Sequence, residues 1–421
     1  MKTSTFRMLM TVWPLMFGIS LIMISYGLQS TLLGLRAEHE AFPAFVTGLI
    51  MSMYFCGFLV GCRYVPQLIA SVGHIRVFAA LASIASTTIL LHGVFVNPVV
   101  WIVIRLFTGF CFSGIFIIAE SWLNKIATRK MRGKVFAAYI SVVNGGVFLG
   151  QFLINLAPVE KIDLFIIVSV LISLALAPIT LTNTRTPNYK KPDVVPFSTV
   201  FKTSPLAMAG VFVSGMSSAT VIGLGPVYGN MIGLSTPEIS YFMAIYILGN
   251  TLLPLYFGSL SDKVDRRKVI LGIAILGLAI SVLITAVPSL YLMSFFIGGA
   301  TTALYSVSIT HMQDFTKKSQ IVSTSRSLIL FNAVGAMFGP VISGFTLDYW
   351  GTKPFFGLVG CYMFFVICVA SYRTITGKTI AQERKKKFTA LPTFSAPTVF
   401  RLRMEKPPAD VPHNSGDNPA P

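Results

Sequence analysis

The chain has 421 residues, of which 54% are hydrophobic and only 11% are charged, and its mean hydropathy is +0.74. Soluble domains are about a quarter charged, so this composition excludes a soluble globular protein and indicates a chain that lies mostly in lipid. The net charge of +18 comes from 33 Lys and Arg against 15 Asp and Glu. No nucleic-acid recognition motif accompanies this charge, so we expect no nucleic-acid partner.

Apolar runs long enough to cross a bilayer as helices recur along nearly the whole chain. They predict an all-α membrane protein with about twelve transmembrane helices. The first run is longer than the apolar part of a signal peptide and has no cleavage site behind it, so we expect it to remain as a span. The predicted spans are residues 12–35, 44–64, 76–96, 99–121, 135–155, 163–180, 206–228, 238–257, 269–288, 290–312, 325–346 and 354–372.

A polar stretch rich in proline separates the first six spans from the last six. Glycines recur at a constant offset between the two sets, Gly109 with Gly298 and Gly146 with Gly335, which is typical of a duplicated, pseudo-symmetric bundle. The predicted divisions are an N-terminal six-helix bundle (1–180), a cytoplasmic linker (181–205), a C-terminal six-helix bundle (206–372) and a disordered basic, proline-rich cytoplasmic tail (373–421).

Lys and Arg are distributed unevenly between the two sides of these spans. With a cytoplasmic Met1, the outer loops hold only Arg36, Lys161 and Lys353. The positive-inside rule then predicts a multi-pass protein of the cell inner (plasma) membrane with both termini in the cytoplasm.

The sequence contains no catalytic or metal-binding pattern that we recognise. Its five cysteines lie in or beside apolar runs without metal spacing, and there is no nucleophile–base motif or phosphate-binding glycine loop. We therefore expect neither an enzyme nor a bound cofactor or metal.

A short, heavily charged segment follows the eighth span. It resembles the signature loop of the major facilitator superfamily of secondary transporters, except that Asp265 stands where the family's glycine usually does. The resemblance suggests that Asp262 accepts hydrogen bonds from backbone groups at the N-terminus of span 11. The segment reads Gly258-x-x-x-Asp262-Lys263-x-x-Arg266-Arg267-Lys268.

The equivalent loop after the second span keeps Gly73 and Arg76 but has Ala70 at the position of the aspartate. Further motifs resemble the bacterial YcaD-like permease subgroup, a resemblance that covers about residues 13–372. They are Val72–Arg76, Arg105, Glu120–Asn124, Leu304–Ser306 with His311 and Asp314, and Gly335-x-x-x-Gly339-Pro340.

The resemblance implies a gate of ion pairs at the cytoplasmic ends of the spans. Glu120 is expected to pair with Arg76, and Asp314 is expected to lie beside Arg266 or Arg267. The alternative for Glu120 is a protonatable coupling site.

Two further titratable residues are candidates for coupling or substrate binding. Arg105 lies in span 4, where a charge is costly and by default functional, and the resemblance ties it to proton-coupled transport. Its alternative role is to snorkel to the outer surface. His311 is either a proton carrier or an interfacial residue.

Uncharged polar residues inside the spans either line a cavity or form hydrogen bonds between helices. These candidates are Tyr26, Gln29, Asn144, Gln151, Asn250, Tyr305 and Asn332.

Glycines in spans 5 and 11 recur every four residues and let helices approach closely. By resemblance this pattern is strong in exporters. It comprises Gly145, Gly146 and Gly150 in span 5, and Gly335, Gly339, Pro340 and Gly344 in span 11.

These features predict a proton-coupled secondary transporter of a small organic solute, in which two bundles rock about a midplane site. Export is favoured, and import is the alternative. A hypothesis of another class is a transport-inactive sensor or anchor that uses the basic tail. The expected partners are a small-molecule substrate, protons and the lipid bilayer, and we expect a monomer.

Overall fold

The computed structural model describes residues 2–126, 132–180, 195–284, 290–317, 320–376 and 388. Residues 2–11, 124–126 and 132 are described by their backbone alone. Within these ranges all regular secondary structure is helical, which confirms the predicted all-α fold class.

The first half comprises the helices that precede residue 181. A single 3-10 turn, Leu153–Leu156, follows α5. The helices are α1 (Lys2–His39), α2 (Ala44–Val72), α3 (His74–Val94), α4 (Pro98–Ile126), α5 (Arg132–Phe152), α6 (Asp163–Leu174) and α7 (Leu176–Thr180).

The second half comprises the helices after residue 195. They are α8 (Phe197–Thr203), α9 (Pro205–Met231), α10 (Thr236–Lys263), α11 (Arg266–Leu283), α12 (Leu290–Phe315), α13 (Ile321–Trp350) and α14 (Phe355–Thr376). Side chains fix several starts: the Ala207 N–H donates to the Ser204 hydroxyl oxygen (3.2 Å) at the start of α9.

Eleven candidate membrane spans are long and apolar enough to cross a bilayer, α6 and α7 together forming one of them. The predicted ninth span corresponds to α11. Its 18 described residues begin with Arg266, Arg267 and Lys268, so the charged start lies within the helix itself. The prediction of about twelve transmembrane helices therefore agrees with the fold.

Two predicted loops are much shorter than the sequence suggested. Helix α2 continues through Val72, so that only Gly73, with a φ of 95°, separates it from α3. Helix α10 continues through Lys263, which leaves Val264 and Asp265 as the only connection to α11. The prediction was wrong here because apolar length measures the hydrocarbon crossing, whereas a helix continues beyond it.

The linker and tail are described only in part. Residues 181–194 of the predicted linker lie outside the described residues, and its last part contains α8, near which Ser327 Oγ donates to the Val195 carbonyl (2.7 Å). Helix α14 ends at Thr376, later than predicted. Apart from residues 373–376 and Phe388, the predicted disordered tail lies outside the described residues.

The long helices reverse direction one after another, so α1 begins and α14 ends at the same end of the bundle. We call this end the terminal end and the other the opposite end. Glycines bring α1 and α5 together along this axis: a Cβ on Gly150 would lie 2.2 Å from the Ile24 carbonyl oxygen.

Gly150→Ala is expected to lower the melting temperature of the detergent-solubilised protein. Backbone cannot yield to the added methyl group, and overpacking of this kind costs about 1–3 kcal/mol. Gly145→Ala is the matched control, because a Cβ there would meet nothing within 4 Å. Equal melting temperatures for both variants would contradict the close α1–α5 contact.

Candidate functional site

A carboxylate joins the two halves at the opposite end. Asp348, near the end of α13, accepts hydrogen bonds from the backbone N–H groups of Ala44 and Phe45, each at 2.8 Å. These are the first residues of α2, so the carboxylate lies at the positive end of another helix's dipole. Asp348 thus fixes the second half against the first.

Two polar contacts reinforce this closure. The Asn230 side-chain amide at the end of α9 donates to Glu38 at the end of α1. The Asn155 amide, just beyond α5, donates to the Ser240 hydroxyl oxygen on α10 at 3.1 Å. The halves are therefore held together around the opposite end at three pairs of elements.

A buried arginine crosses between the halves nearer the terminal end. Arg326, in the first turns of α13, is 6% exposed, and its Nη2 donates to the Cys62 carbonyl oxygen of α2 at 3.4 Å. Its burial makes it part of the contact between α2 and α13.

The signature segment forms an ion network inside the second half. Arg266, at the start of α11, donates to Asp314 of α12 and, at 2.9 Å, to Asp262 of α10. The predicted proximity of Asp314 and Arg266 is thus present. All three helices belong to one half, so these contacts hold them together within that half, and a part in gating stays a prediction.

Among the described residues, the hydrogen-bond donors to Asp262 lie elsewhere than at the N-terminus of span 11, where the resemblance placed them. Besides Arg266, its carboxylate accepts hydrogen bonds from the Phe388 backbone N–H, at 2.9 and 3.1 Å. The physical reason is that α10 extends past the predicted loop and presents Asp262 to α11 and to the tail.

Asp265, which replaces the usual glycine, caps α11. Its carboxylate accepts hydrogen bonds from the Arg267 backbone N–H (3.0 Å) and the Arg267 guanidinium (2.9 Å). Burial raises the pKa of the Asp265 carboxyl, but these hydrogen bonds and the Arg267 charge outweigh burial and hold the pKa below its usual value. The carboxylate therefore stays charged at neutral pH and stabilises the helix start. Lys263, the other predicted residue of this segment, is the last residue of α10.

The predicted pair of Glu120 and Arg76 is not formed. Arg76 is exposed on the first turn of α3 and has no salt bridge with any described residue, whereas Glu120 is fully buried in α4. The Tyr139 hydroxyl donates to Glu120 at 3.4 Å. Arg76 follows the turn at Gly73 and lies on the exposed face of α3. Glu120 lies in the interior of the bundle, so the two side chains are apart.

Arg105 points into the first half. It lies seven residues into α4, its side chain is 5% exposed, and its guanidinium carbon lies 4.8 Å from the centroid of the Tyr54 ring. No carboxylate in the part of the chain that the structure describes forms a salt bridge with it. The guanidinium thus lies inside the first half, which favours the functional role over snorkelling to the outer surface.

Tyr26 and Gln29 of α1 lie in the interior of the same half. The Tyr26 ring is 5.7 Å from that of Tyr54, and both side-chain amide atoms of Gln29 are buried without a hydrogen-bond partner among the described residues. Asn144 on α5 is also buried. Buried polar groups are nearly always paired, so Gln29 is a position where a solute or water is expected.

A cavity of about 50 Å³ lies where the halves meet, near the middle of α9, α12 and α13. Its polar groups come from the second half, and Phe55 of α2 faces them. The Phe55 ring contacts that of Tyr54, with centroids 5.3 Å apart, which connects the cavity to Arg105. The lining residues are Phe55, Ser214, Gly215, Ser218, Ala219, Ile222, Thr302, Tyr305, Asn332 and Ala336. Among the predicted candidates, Tyr305 and Asn332 thus line this cavity.

Gln151 and Asn250 have the other predicted role. Thr31 Oγ1 donates to Gln151 at 2.5 Å, joining α1 to α5, and Thr302 Oγ1 donates to Asn250 at 2.9 Å, joining α12 to α10. Both amides therefore hold neighbouring helices together within a half.

His311 lies at the terminal end, away from the central cavity. It is 6% exposed, packs on Phe315 with ring centroids 5.1 Å apart, and lines a second cavity of about 330 Å³ together with Arg267 and Arg373. Whether His311 carries protons or has an interfacial role stays a prediction.

Sequence reasoning missed Asp348, Tyr54 and Arg326. A signal for Asp348 was present: an acid in the last turn of a helix is unfavourable for that helix's own dipole. Such a carboxylate is stable when it serves the N-terminus of another helix, here α2. Tyr54 and Arg326 carried no comparable local signal.

The described part of the chain thus forms two halves of long apolar helices around a small, mainly apolar cavity that a few hydroxyl and amide groups also line, an arrangement typical of membrane transporters. The family model of the Major Facilitator Superfamily matches residues 15–237 and 207–407. The chain belongs to this superfamily.

Curated relatives match most of the chain. The uncharacterized MFS-type transporter YcaD of Escherichia fergusonii is 25% identical over 359 residues, which cover 84% of this chain and 93% of the relative. YcaD of Escherichia coli O45:K1 is 26% identical over 360 residues, with the same coverage of 84% and 93%. The predicted resemblance to the superfamily and to the YcaD-like subgroup is confirmed.

Solved structures share the fold. A mutant of the nucleoside transporter NupG aligns with a TM-score of 0.73 at 14% identity, over 87% of this chain and 100% of that chain. A bacterial homolog of the human lysosomal transporter Spinster, inward-facing and unoccupied, aligns with a TM-score of 0.74 at 14% identity, over 90% and 98%.

Proposed function

We propose that this protein is a proton-coupled secondary transporter that exports a small organic solute by alternating access of its two halves. The observation that carries this proposal is the central cavity, which the second half lines with hydroxyl and amide groups and the first half lines with Phe55. Such a mixture of apolar and polar lining suits an amphipathic, neutral or singly anionic solute.

The size of the cavity supports movement of the halves. Sites for small organic molecules are typically about 300–1,000 Å³, whereas this cavity is about 50 Å³. A solute can enter only when the halves separate. The similarity to solved structures described as the nucleoside transporter NupG supports a small organic molecule as cargo.

Proton coupling and direction have separate support. Glu120, a fully buried carboxylate on the same helix as Arg105, suits the proton-coupling role that the sequence left open. Glycines of α5 and α13 pack closely against neighbouring helices: a Cβ built on Gly335 would lie 2.2 Å from the Phe212 carbonyl oxygen. By the resemblance given above, this glycine pattern supports export.

An accumulation screen tests this function. Cells with and without the protein are compared for retained metabolites and drugs, and each hit is measured again after the proton gradient is collapsed. Lower accumulation of one solute, abolished with the gradient, is the expected result. Higher accumulation would indicate import, and an unchanged profile would favour a sensor or anchor.

Reporter fusions test the proposed topology. A reporter active only in the cytoplasm is expected to be active when fused at Asp193, and one active only outside is expected to be active at Glu160. The asymmetry of Lys and Arg motivates this orientation. The reverse pattern would overturn the cytoplasmic location of both termini.

A further inference from the structure

A notch at the end of α10 receives a residue from the tail. We propose that Gly258 and Asp262 form a docking site for the chain's own C-terminal segment, which binds through Phe388. Phe388 lies twelve residues beyond Thr376, the last residue of α14. Its ring and its backbone N–H both contact α10.

The ring takes the space that a side chain at position 258 would fill. A Cβ built on Gly258 would lie 2.0, 2.2 and 2.3 Å from three atoms of the Phe388 ring. Real Cβ atoms do not approach other atoms so closely, so the ring can dock only because residue 258 is glycine. The glycine of the signature segment thus has a packing role here.

The backbone of the same residue supplies the polar contact. The Phe388 N–H donates to both carboxylate oxygens of Asp262, at 2.9 and 3.1 Å. Hydrogen bonds to an ionised acceptor are the stronger kind. Docking therefore requires both the free space over Gly258 for the ring and the charged Asp262 carboxylate for the N–H.

The first half has no equivalent notch. Ala70 stands where Asp262 stands, and Pro66, four residues earlier, stands where Gly258 does. Without the carboxylate and the space, that half can hold no such segment. This docking site for Phe388 therefore belongs to the second half.

The docked residue and the ion network share the Asp262 carboxylate. Asp262 accepts from Arg266 at 2.9 Å while it accepts from Phe388, and Arg266 donates to Asp314. The tail is thus connected to the carboxylate that joins α10 to α11. Undocking leaves that carboxylate with fewer donors and loosens the terminal end of the second half.

Limited trypsin digestion of the full chain in a neutral detergent tests the docking. Trypsin cleaves after Lys and Arg, and residues 384–387 are Arg-Lys-Lys-Lys, directly before Phe388. Arg401 and Arg403 provide reference sites further along the tail. Because a protease needs chain that has left its docked position, we expect cleavage after Lys387 to be about tenfold slower than after Arg403.

Matched variants identify the notch. Gly258→Ala is expected to abolish the protection without changing cleavage after Arg403. Gly272→Ala, where a Cβ would meet nothing within 4 Å, is expected to leave it intact. Protection that persists in Gly258→Ala, or is absent from the unaltered chain, overturns the proposal.

Phe388→Ala distinguishes a loss of docking from a folding defect in the bundle. It removes the ring without altering any helix, and it should accelerate cleavage after Lys387 as much as Gly258→Ala does. Phe394→Ala, in the same tail, is the control and should change nothing. Equal effects of Phe388→Ala and Phe394→Ala would contradict docking through Phe388.

Discussion

Arg105→Ala is expected to reduce transport by about 100-fold, the loss that follows removal of a buried charged hydrogen-bonding group, while the protein still inserts and folds. The guanidinium lies over Tyr54 without a carboxylate partner among the described residues. A buried charge is costly in lipid, so its removal does not hinder insertion. The measurement is flux of the solute found by the screen, normalised to protein in the membrane fraction.

Two variants control this experiment. Arg105→Lys keeps the charge but loses the planar group that stacks on the ring, and partial flux is expected. Arg63→Ala removes an exposed arginine that belongs to none of the candidate sites and should leave flux unchanged. Normal flux in Arg105→Ala would show that Arg105 only packs against Tyr54.

Asp348→Asn is expected to open the opposite end of the bundle. The carboxylate accepts two N–H groups at the start of α2, and a charge at a helix N-terminus contributes up to about 2 kcal/mol. A loss of about 1.4 kcal/mol changes an equilibrium tenfold. We therefore expect roughly tenfold faster hydrogen exchange in residues 223–231 of α9, which join the same end without contacting Asp348.

Glu160→Gln is the matched control for this variant. Glu160 is an acid at the same end, but its contact with His39, at 3.7 Å, lies within the first half. Hydrogen exchange in the Glu160→Gln variant should equal that of the unaltered chain. Unchanged exchange in Asp348→Asn would mean that this carboxylate caps α2 without holding the halves together.

The sequence predicted what depends on local composition. Apolar length and flanking charge identified the spans, and the resemblance located the signature segment. Even the proximity of Arg266 and Asp314 followed, because both were expected at neighbouring helix ends. Helix ends themselves were less accurate, as at Gly73 and Lys263, since charged residues end an apolar run without ending a helix.

Contacts between distant helices could not be predicted in the same way. Whether Glu120 meets Arg76 depends on which face of α3 and α4 each side chain occupies, and a one-residue connection at Gly73 decides that. One partner of Asp262, Phe388, is 126 residues away in the tail. Such pairings depend on how the whole bundle packs, which no segment encodes alone.

The central cavity has a kinetic consequence for the proposed transport cycle. Its hydrogen-bonding groups belong to the second half, whereas the first half contributes the Phe55 ring. A bound solute therefore loses an apolar contact when the halves separate but keeps its hydrogen bonds. The solute should remain with the second half as the site opens. Its residence time should then depend on how fast water replaces it as the hydrogen-bond partner of groups such as Asn332 and Thr302.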